Sequence, residues 1–548
     1  MGINNFIQKT ENKLVPLIFL IIPLLFGVVS LFLGRDVNWD VKNYHYYNAY
    51  AFVEHRLDFD IAPAQLQTYI NPIGDLPFYW MVKHFPAWVA GFVLGCIHGF
   101  NISLIFLIFW DINNYSQKWS KILWGICLVI ISSIAPGFIS ELGNTMHDNL
   151  VSLFVLATIF LLIRASKKLR NNETKFGLLH IGIAGLIIGV GFGIKPSIAI
   201  FIASTAIAFS VFSVRWPIKM IALLIYSIAG IFGGLASAGF WWWELWIRFG
   251  NPFFPFYNNI FKSPYFTSAP VVWTTFLPNG LWEYLVWPFI FSFNGLRVNQ
   301  SDFSDVRFAL LYLLCMAWLI VYVAKKIFRI NLMPDGNQIK YSFDLESSNY
   351  LLLFFLCSYL FWIKESSTYR FMIPLELLVP LCFLILLERF VSSRRVQIGL
   401  ITIAILATFA FFKPFNWGRL SWGDSYFYAQ NASRLDPSKQ AVVVMLGRSP
   451  TAYVVPDLPS SYRFIRPEGN ITMEGGENNQ FIGKIKKLLE EYSGPLYILY
   501  NQGERNFGFN LEASLAKWGL TINYDSCFIL KISIPDRLSI CQAFNHKK

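Results

Sequence analysis

Residues 14–56 read LVPLIFLIIPLLFGVVSLFLGRDVNWDVKNYHYYNAYAFVEHR. The first half, Leu14 to Gly34, holds no charged side chain, and a run of about twenty apolar residues suffices to cross a bilayer as a helix. The second half opens on Arg35, Asp36 and Asp40 and runs on through a cluster of tyrosines. An apolar span that ends on acids and aromatic residues is the pattern of a membrane protein with chemistry at the membrane edge. Lys9 and Lys13 precede the span, but Gly34-Arg35-Asp36 stands where a cleavable leader would carry small residues, so the span is expected to be retained.

The rest of the chain repeats this pattern. Met220 to Trp243 is a second uncharged run, and the 548 residues are 55% hydrophobic and 14% charged, against roughly 25% charged in soluble proteins. That excludes a soluble enzyme and indicates a polytopic membrane protein. The net charge of +12, from 45 Lys and Arg against 33 Asp and Glu, would suggest nucleic acid in a soluble chain. Here it follows from topology, and no nucleic-acid partner is expected. With the amino terminus cytoplasmic, spans near 14–34, 88–110, 121–138, 150–164, 177–194, 197–213, 220–241, 307–324, 349–363, 371–388 and 397–412 give eleven crossings. The basic loops RASKKLRNNETK, VRWPIK, KKIFR and ERFVSSRR then all face the cytoplasm, as the positive-inside tendency requires. The apolar segment 281–295 is expected to be re-entrant or to lie on the surface, since counting it as a span would put KKIFR outside.

This assignment leaves 35–86, 242–306 and the tail on the outer side. The expected division is a transmembrane domain over 1–412 and an extracytoplasmic α/β domain over 413–548. In the tail, strand-like runs (QAVVVMLG, PLYILYN, TINYDSCFILKISI) alternate with helical ones (NNQFIGKIKKLLEEY, NLEASLAKWGL), which is the rhythm of a small α/β fold. Cys527 and Cys541 lie on two runs that could pair as a hairpin, and whether they form a disulfide stays open. Gly91/Gly95/Gly99 and Gly185/Gly189/Gly193 recur at helical spacing and are expected to let membrane helices approach closely.

Ionisable groups at the membrane edge are the first candidates for function. Asp40 either caps the Tyr-rich helix, expected to lie in the interface with its tyrosines at headgroup level, or acts as a base. The short turn ELGNTMHDNL adds Glu141, His147 and Asp148, where Asp148 could cap the next helix and Glu141 could be merely solvated. Acids on two loops at one level allow either a base for an acceptor hydroxyl or a divalent cation, Mg or Mn, clamped on phosphate. Lys195 is a lone charge in GVGFGIKPSIAIF, either snorkelling or binding an anion, and Arg370 is comparable in KESSTYRFMIP. Together they could hold a lipid-borne phosphate. Asp36, Tyr44, His45, Asn251 and Tyr369 complete the candidate substrate contacts. The tryptophans of WWWELW suit an interfacial belt, and the Asn-Pro-Phe-Phe-Pro-Phe run cannot be a regular helix. The histidines are scattered without metal-ligand spacing, which argues against a zinc centre.

Taken in order, WDVKNYHYYNAY, HDNLVSLFVLATIFLLIRASKK, GFGIKPS, GNPFFPFYN and TYRFMIPLELLVPL resemble the GT-C superfamily of polytopic glycosyltransferases over most of the first 412 residues. The resemblance implies an all-α membrane domain and a polyprenyl-phosphate sugar donor bound at the outer face of the cytoplasmic membrane. It also implies an essential acid in the first outer loop. It points to Asp40 as base, with Asp36 competing, and to Asp148 as second acid, with Glu141 competing. Lys195 and Arg370 become the donor-phosphate ligands. An Asp-Glu pair in the first loop and a WWDYG run in the tail are both missing, which argues against protein mannosylation and transfer to asparagine and favours a bacterial glycan or lipid acceptor. The alternative is a transporter, flippase or polymerase-like membrane protein, whose charges would lie near the bilayer midplane.

Overall fold

A computed structural model of the chain describes residues 2–115, 117–269, 274–328, 342–470 and 479–545. Arg329, in the KKIFR loop, lies outside these. Helices dominate the described residues up to Phe411, and the expected spans fall on them, except that the one over 121–138 is broken at Ile134 and Ala135 between Lys118–Ser133 and Pro136–Ser140. Among the described residues eight helices are long and apolar enough to cross a membrane: Leu14–Leu33, Ala87–Ile112, Asp148–Arg170, Thr174–Ile194, Trp216–Phe249, Val306–Ala324, Tyr369–Phe390 and Arg394–Phe411. Trp119–Ser133 and Pro196–Val211 are apolar but shorter, and Leu345–Glu365 opens on a polar first turn. The segment kept out of the span count forms a helix of 14 residues, Gly280–Phe293, about 21 Å long and too short to cross the roughly 30 Å hydrocarbon core.

The glycine stripes act as packing surfaces. A Cβ on Gly99 would lie 2.8 Å from the Cα of Pro23, so the first span and Ala87–Ile112 cross with their backbones nearly touching. Gly185 and Gly189 face the carbonyls of Tyr226 and Gly230 in the same way, which joins Thr174–Ile194 to the helix beginning at Trp216.

Two expectations about the outer side are corrected. The helix from Trp216 does not end at 241 but continues through a π turn, Leu235–Gly239, to Phe249, making 34 residues. Trp241 therefore leaves the interfacial belt: it is buried, and its indole N–H donates to the Tyr69 carbonyl at 2.9 Å. The Tyr-rich segment is a π turn, Val41–His45, followed by the helix Tyr46–Val53. Its tyrosines are not at headgroup level. Tyr44, Tyr46, Tyr47 and Tyr50 are buried in one apolar cluster with Phe427, Tyr453 and Leu538 of the tail, so protein rather than lipid covers them.

The tail forms a six-stranded mixed sheet. Its order is Tyr462–Ile465, Ala441–Met445, Leu496–Asn501, Leu538–Asn545 and Leu520–Ile522, with Phe528–Ile529 also pairing Leu538–Asn545. The first three strands are parallel and the long last strand is antiparallel to its neighbours. The expected hairpin thus forms, and Cys527 is bonded to Cys541. The sheet is fastened to the loop that follows the first span. Ile61 extends its edge by donating to the Phe464 carbonyl at 2.9 Å, and Arg56 donates to the carbonyls of Ser460 and Tyr462 at 2.8 and 2.6 Å. At the root, Arg35–Asp36 pairs with Arg419–Leu420 as a two-residue antiparallel ribbon. The segment from Asp36 to Asp75 is held between the membrane helices and the sheet, and this fixes the position of the charges described next.

Candidate functional site

Asp40 directly precedes the Val41 π turn, but its side chain does not cap it. Asn38 does that, its Oδ1 accepting from the Val41 N–H at 2.8 Å. Asp40 is left free, and Arg370 Nη1 donates to its Oδ2 at 3.2 Å. Asp148 opens the helix Asp148–Arg170 and is likewise not spent as a cap. Its Oδ1 lies 2.6 Å from Lys195 Nζ and its Oδ2 lies 3.9 Å from Arg370 Nε. Two carboxylates and two cations from four separate segments therefore form one chain of charge: Asp40, Arg370, Asp148, Lys195.

Local sequence explains each placement. Pro196 disfavours helical backbone at the residue before it, so Thr174–Ile194 stops and Lys195 is extended (φ −146, ψ 105), its Nζ also donating to the Met146 carbonyl at 2.8 Å. Arg370 sits on a single 3₁₀ turn, Tyr369–Met372, at the head of Ile373–Phe390. Phe371 presents its ring to both cations, 5.4 Å from Lys195 Nζ and 5.3 Å from Arg370 Cζ, and Trp417 of the tail lies 5.9 Å from Arg370. Asp148 keeps only 3% of its side-chain exposure, whereas Asp40, Lys195 and Arg370 keep 15%, 20% and 25%. The site therefore has an inner acid and an accessible rim on which an anion could compete for the two cations.

Of the two readings of Glu141, solvated or part of the site, the solvated one does not hold. Glu141 is fully buried, and neither carboxylate oxygen has a hydrogen-bond partner among the described residues. Burial, and then the neighbouring Asp148, hold its carboxyl well above the ordinary value of 4.5, against the opposing pull of Lys195 and Arg370. Tyr44 is buried beside the same charges. Burial and then Asp40 push its hydroxyl far above the usual tyrosine range, so it stays protonated. Asp36 is a different case. Its oxygens accept from Asn38 N and Nδ2 at 3.0 and 3.1 Å and from Thr145 N and Oγ1 at 3.1 Å each, so it ties the first outer loop to the second.

No protein-family model matches the sequence, and no curated protein matches it. The solved structure of ArnT from Cupriavidus metallidurans bound to undecaprenyl phosphate is similar with a TM-score of 0.55 at 12% identity, over 96% of this chain and 97% of that one. Its apo state is similar with a TM-score of 0.52, also at 12% identity, over 97% and 98%. The chain has the GT-C fold. The likeness takes in both the polytopic helices and the carboxy-terminal α/β domain.

Within this GT-C fold some expected contacts lie elsewhere. Asn251 is buried, but its side chain is occupied by its own loop: Nδ2 donates to the Phe256 carbonyl and Oδ1 accepts from Phe253 N, both at 2.9 Å. Tyr369 belongs to a separate buried network, its hydroxyl 2.8 Å from Asp305 Oδ2 and 2.7 Å from Glu376 Oε1, where Arg307 pairs with both acids. An apolar hollow of about 230 Å³ among the membrane helices is lined in part by Arg307 and by none of the four site charges.

Two of the histidines scattered in the sequence meet in the structure. His45 Nδ1 lies 2.6 Å and His147 Nε2 3.2 Å from Asp75 Oδ1, and the ligand-capable atoms of all three lie within 4.8 Å of one another. Asp75 belongs to NPIGDLP, a stretch with no sequence signal linking it to either histidine. Residue separation hides a cluster assembled from three segments. Phe371 and Trp417 were also missed, since an aromatic residue near a cation is ordinary in a chain with 18% aromatics.

Proposed function

We propose that this protein is an integral membrane glycosyltransferase of the cytoplasmic membrane. It transfers a sugar from a polyprenyl-phosphate donor to a glycan or lipid acceptor at the outer face. One observation carries the reading: Asp40, Arg370, Asp148 and Lys195 meet at the ends of helices, where a lipid phosphate can reach two cations and a carboxylate at once. The likeness to ArnT, whose structure is bound to undecaprenyl phosphate, supports a polyprenyl phosphate as the lipid. The basic loops support a cytoplasmic amino terminus, and the disulfide in the tail supports an oxidising outer compartment for the α/β domain.

In this mechanism the donor phosphate takes the place of the Asp40 carboxylate on Arg370 and adds to Lys195, which frees Asp40. The acceptor hydroxyl attacks the anomeric carbon while Asp40 takes its proton. The bond from the anomeric carbon to phosphate oxygen breaks on the opposite face, so configuration is inverted. Negative charge gathering on the departing phosphate is met by Lys195 and the Arg370 fork. Asp148 holds the two cations together, and Tyr44 presents a protonated hydroxyl beside them.

Binding of undecaprenyl phosphate to the purified chain in nanodiscs, read by native mass spectrometry, tests the phosphate assignment. Charge-assisted hydrogen bonds are worth about 1.5–3 kcal/mol, so Lys195→Ala and Arg370→Ala should each weaken binding by roughly ten- to a hundredfold. Unchanged affinity in both variants would remove the two cations from the donor site.

A further inference from the structure

The helix Arg394–Phe411 is the most loosely seated of the eight spans: 6% of it is buried in the protein, against 22% or more for each of the others. Between it and the helices Lys118–Ser133, Val306–Phe328 and Ile373–Phe390 lies the apolar hollow of about 230 Å³, lined among others by Leu128, Leu310, Val379, Phe383, Ile401 and Ile405. Close-packed protein seldom leaves a void of this size, because the atoms around it forfeit their dispersion contacts. Water does not fill a cavity that lacks polar partners. Here the hydroxyls and the one charge of the lining are already engaged. Thr402 and Thr408 donate to carbonyls of their own helix, those of Ile398 and Ala404, at 2.9 and 2.7 Å. The Arg307 guanidinium is spent on Asp305, Glu376 and the Ile131 carbonyl.

Two further features bear on what fills it. The hollow is continuous with the lipid-facing surface, since Cys127 and Thr402 line it and are themselves exposed. Along Arg394–Phe411 it runs from Ile398 to Thr408, about 15 Å at 1.5 Å per residue, which is the depth of one leaflet of a hydrocarbon core roughly 30 Å thick.

We propose that one acyl chain of a bilayer glycerophospholipid fills this hollow and braces Arg394–Phe411 against the other three helices. The apolar lining and the depth of one leaflet fit such a chain. The lipid of the sugar donor fits less well: its phosphate is read above onto Arg370 and Lys195, and neither of these, nor Asp40 or Asp148, lines the hollow. The braced helix leads into the segment that sets Phe415 against Tyr369 and Trp417 over Arg370. The acyl chain therefore steadies the stretch by which the tail reaches the charged site.

The test is photo-cross-linking, which is independent of whether the protein transfers sugar. The full chain is placed in nanodiscs containing a phosphatidylcholine whose acyl chain carries a diazirine, irradiated, digested and mapped by mass spectrometry. A chain in the hollow is cross-linked to Leu128 and Phe383, whereas surrounding lipid reaches Leu406, which is 63% exposed. Ala404 also lines the hollow, so Ala404→Phe fills it from within, and Ala404→Leu does so with less overpacking. The proposal expects adducts at all three positions in the parent, and loss of those at Leu128 and Phe383 with Leu406 retained in both variants. An excess of undecaprenyl phosphate should leave the parental adducts in place. A parent without adducts at Leu128 and Phe383 overturns the proposal, as does their persistence in both variants. Their removal by undecaprenyl phosphate overturns it too, since the hollow would then seat the donor's tail.

Discussion

Asp36 and Asp40 are four positions apart and differ in what surrounds their oxygens. Asp36 is saturated by Asn38 and Thr145, and Asp40 faces a single guanidinium it can give up. The sequence offered both acids, and nothing in RDVNWD separates them, because the choice depends on the second outer loop folding over the first. Glu141 shows the same limit. Its neighbours in ELGNTMHDNL are polar, yet tertiary packing strips it of water. Because its folded pKa is raised, the neutral acid contributes its stability below the ordinary 4.5, and that contribution is lost as pH rises through the folded value. Glu141→Gln copies the neutral form. Its unfolding temperature should match the parent at acid pH and exceed it increasingly toward alkaline pH, in a thermal-shift series across that range. A parent that gained on the variant as pH rose would show that Glu141 is ionised in the fold.

At the scale of elements, the membrane helices and their glycine seams were legible. A long uncharged run has one stable state in lipid, and small residues at helical spacing have one packing use. The Tyr-rich segment was misread for an equally physical reason: an apolar face shows that something covers it, without showing whether lipid or protein does. The prolines of GNPFFPFYN predicted an irregular loop correctly, but the continuation of the preceding helix to Phe249 depended on Trp241 finding Tyr69. The turn Glu141–His147 is seated by Thr145 on Asp36 and by the contact of the His147 ring with Gly74. Gly74→Ala forces a methyl group against the His147 ring, and overpacking of this kind costs about 1–3 kcal/mol. Chemical denaturation should show that loss. Wild-type stability in Gly74→Ala would mean that the ring is free to move aside.

Over the whole molecule, the α/β domain was legible as a rhythm of strands and helices, while its attachment was not. Arg35 donates to the carbonyls of Ser425 and Ser533 at 3.0 and 2.6 Å, and Arg419 donates to that of Leu142 at 2.7 Å, contacts between residues hundreds of positions apart. The domain is thus the wall that closes the loops over the charges. Its own closure rests partly on the Cys527–Cys541 bond, which spans 14 residues, and a loop of that size contributes roughly 3 kcal/mol. Replacing both cysteines by serine should lower the stability of the domain by about that amount, read from protease sensitivity of the tail; unchanged resistance would show that the sheet holds without the bond. The central claim concerns the acid beside Arg370. Sugar transfer should be measured with the parent and Asp40→Asn in the same bilayer, supplied with polyprenyl-phosphate sugars extracted from the native membrane. Losing a general base typically removes a factor of about 10²–10⁴, so the variant should transfer at least about a hundredfold more slowly while still folding and binding polyprenyl phosphate. Transfer at the parental rate would contradict the account.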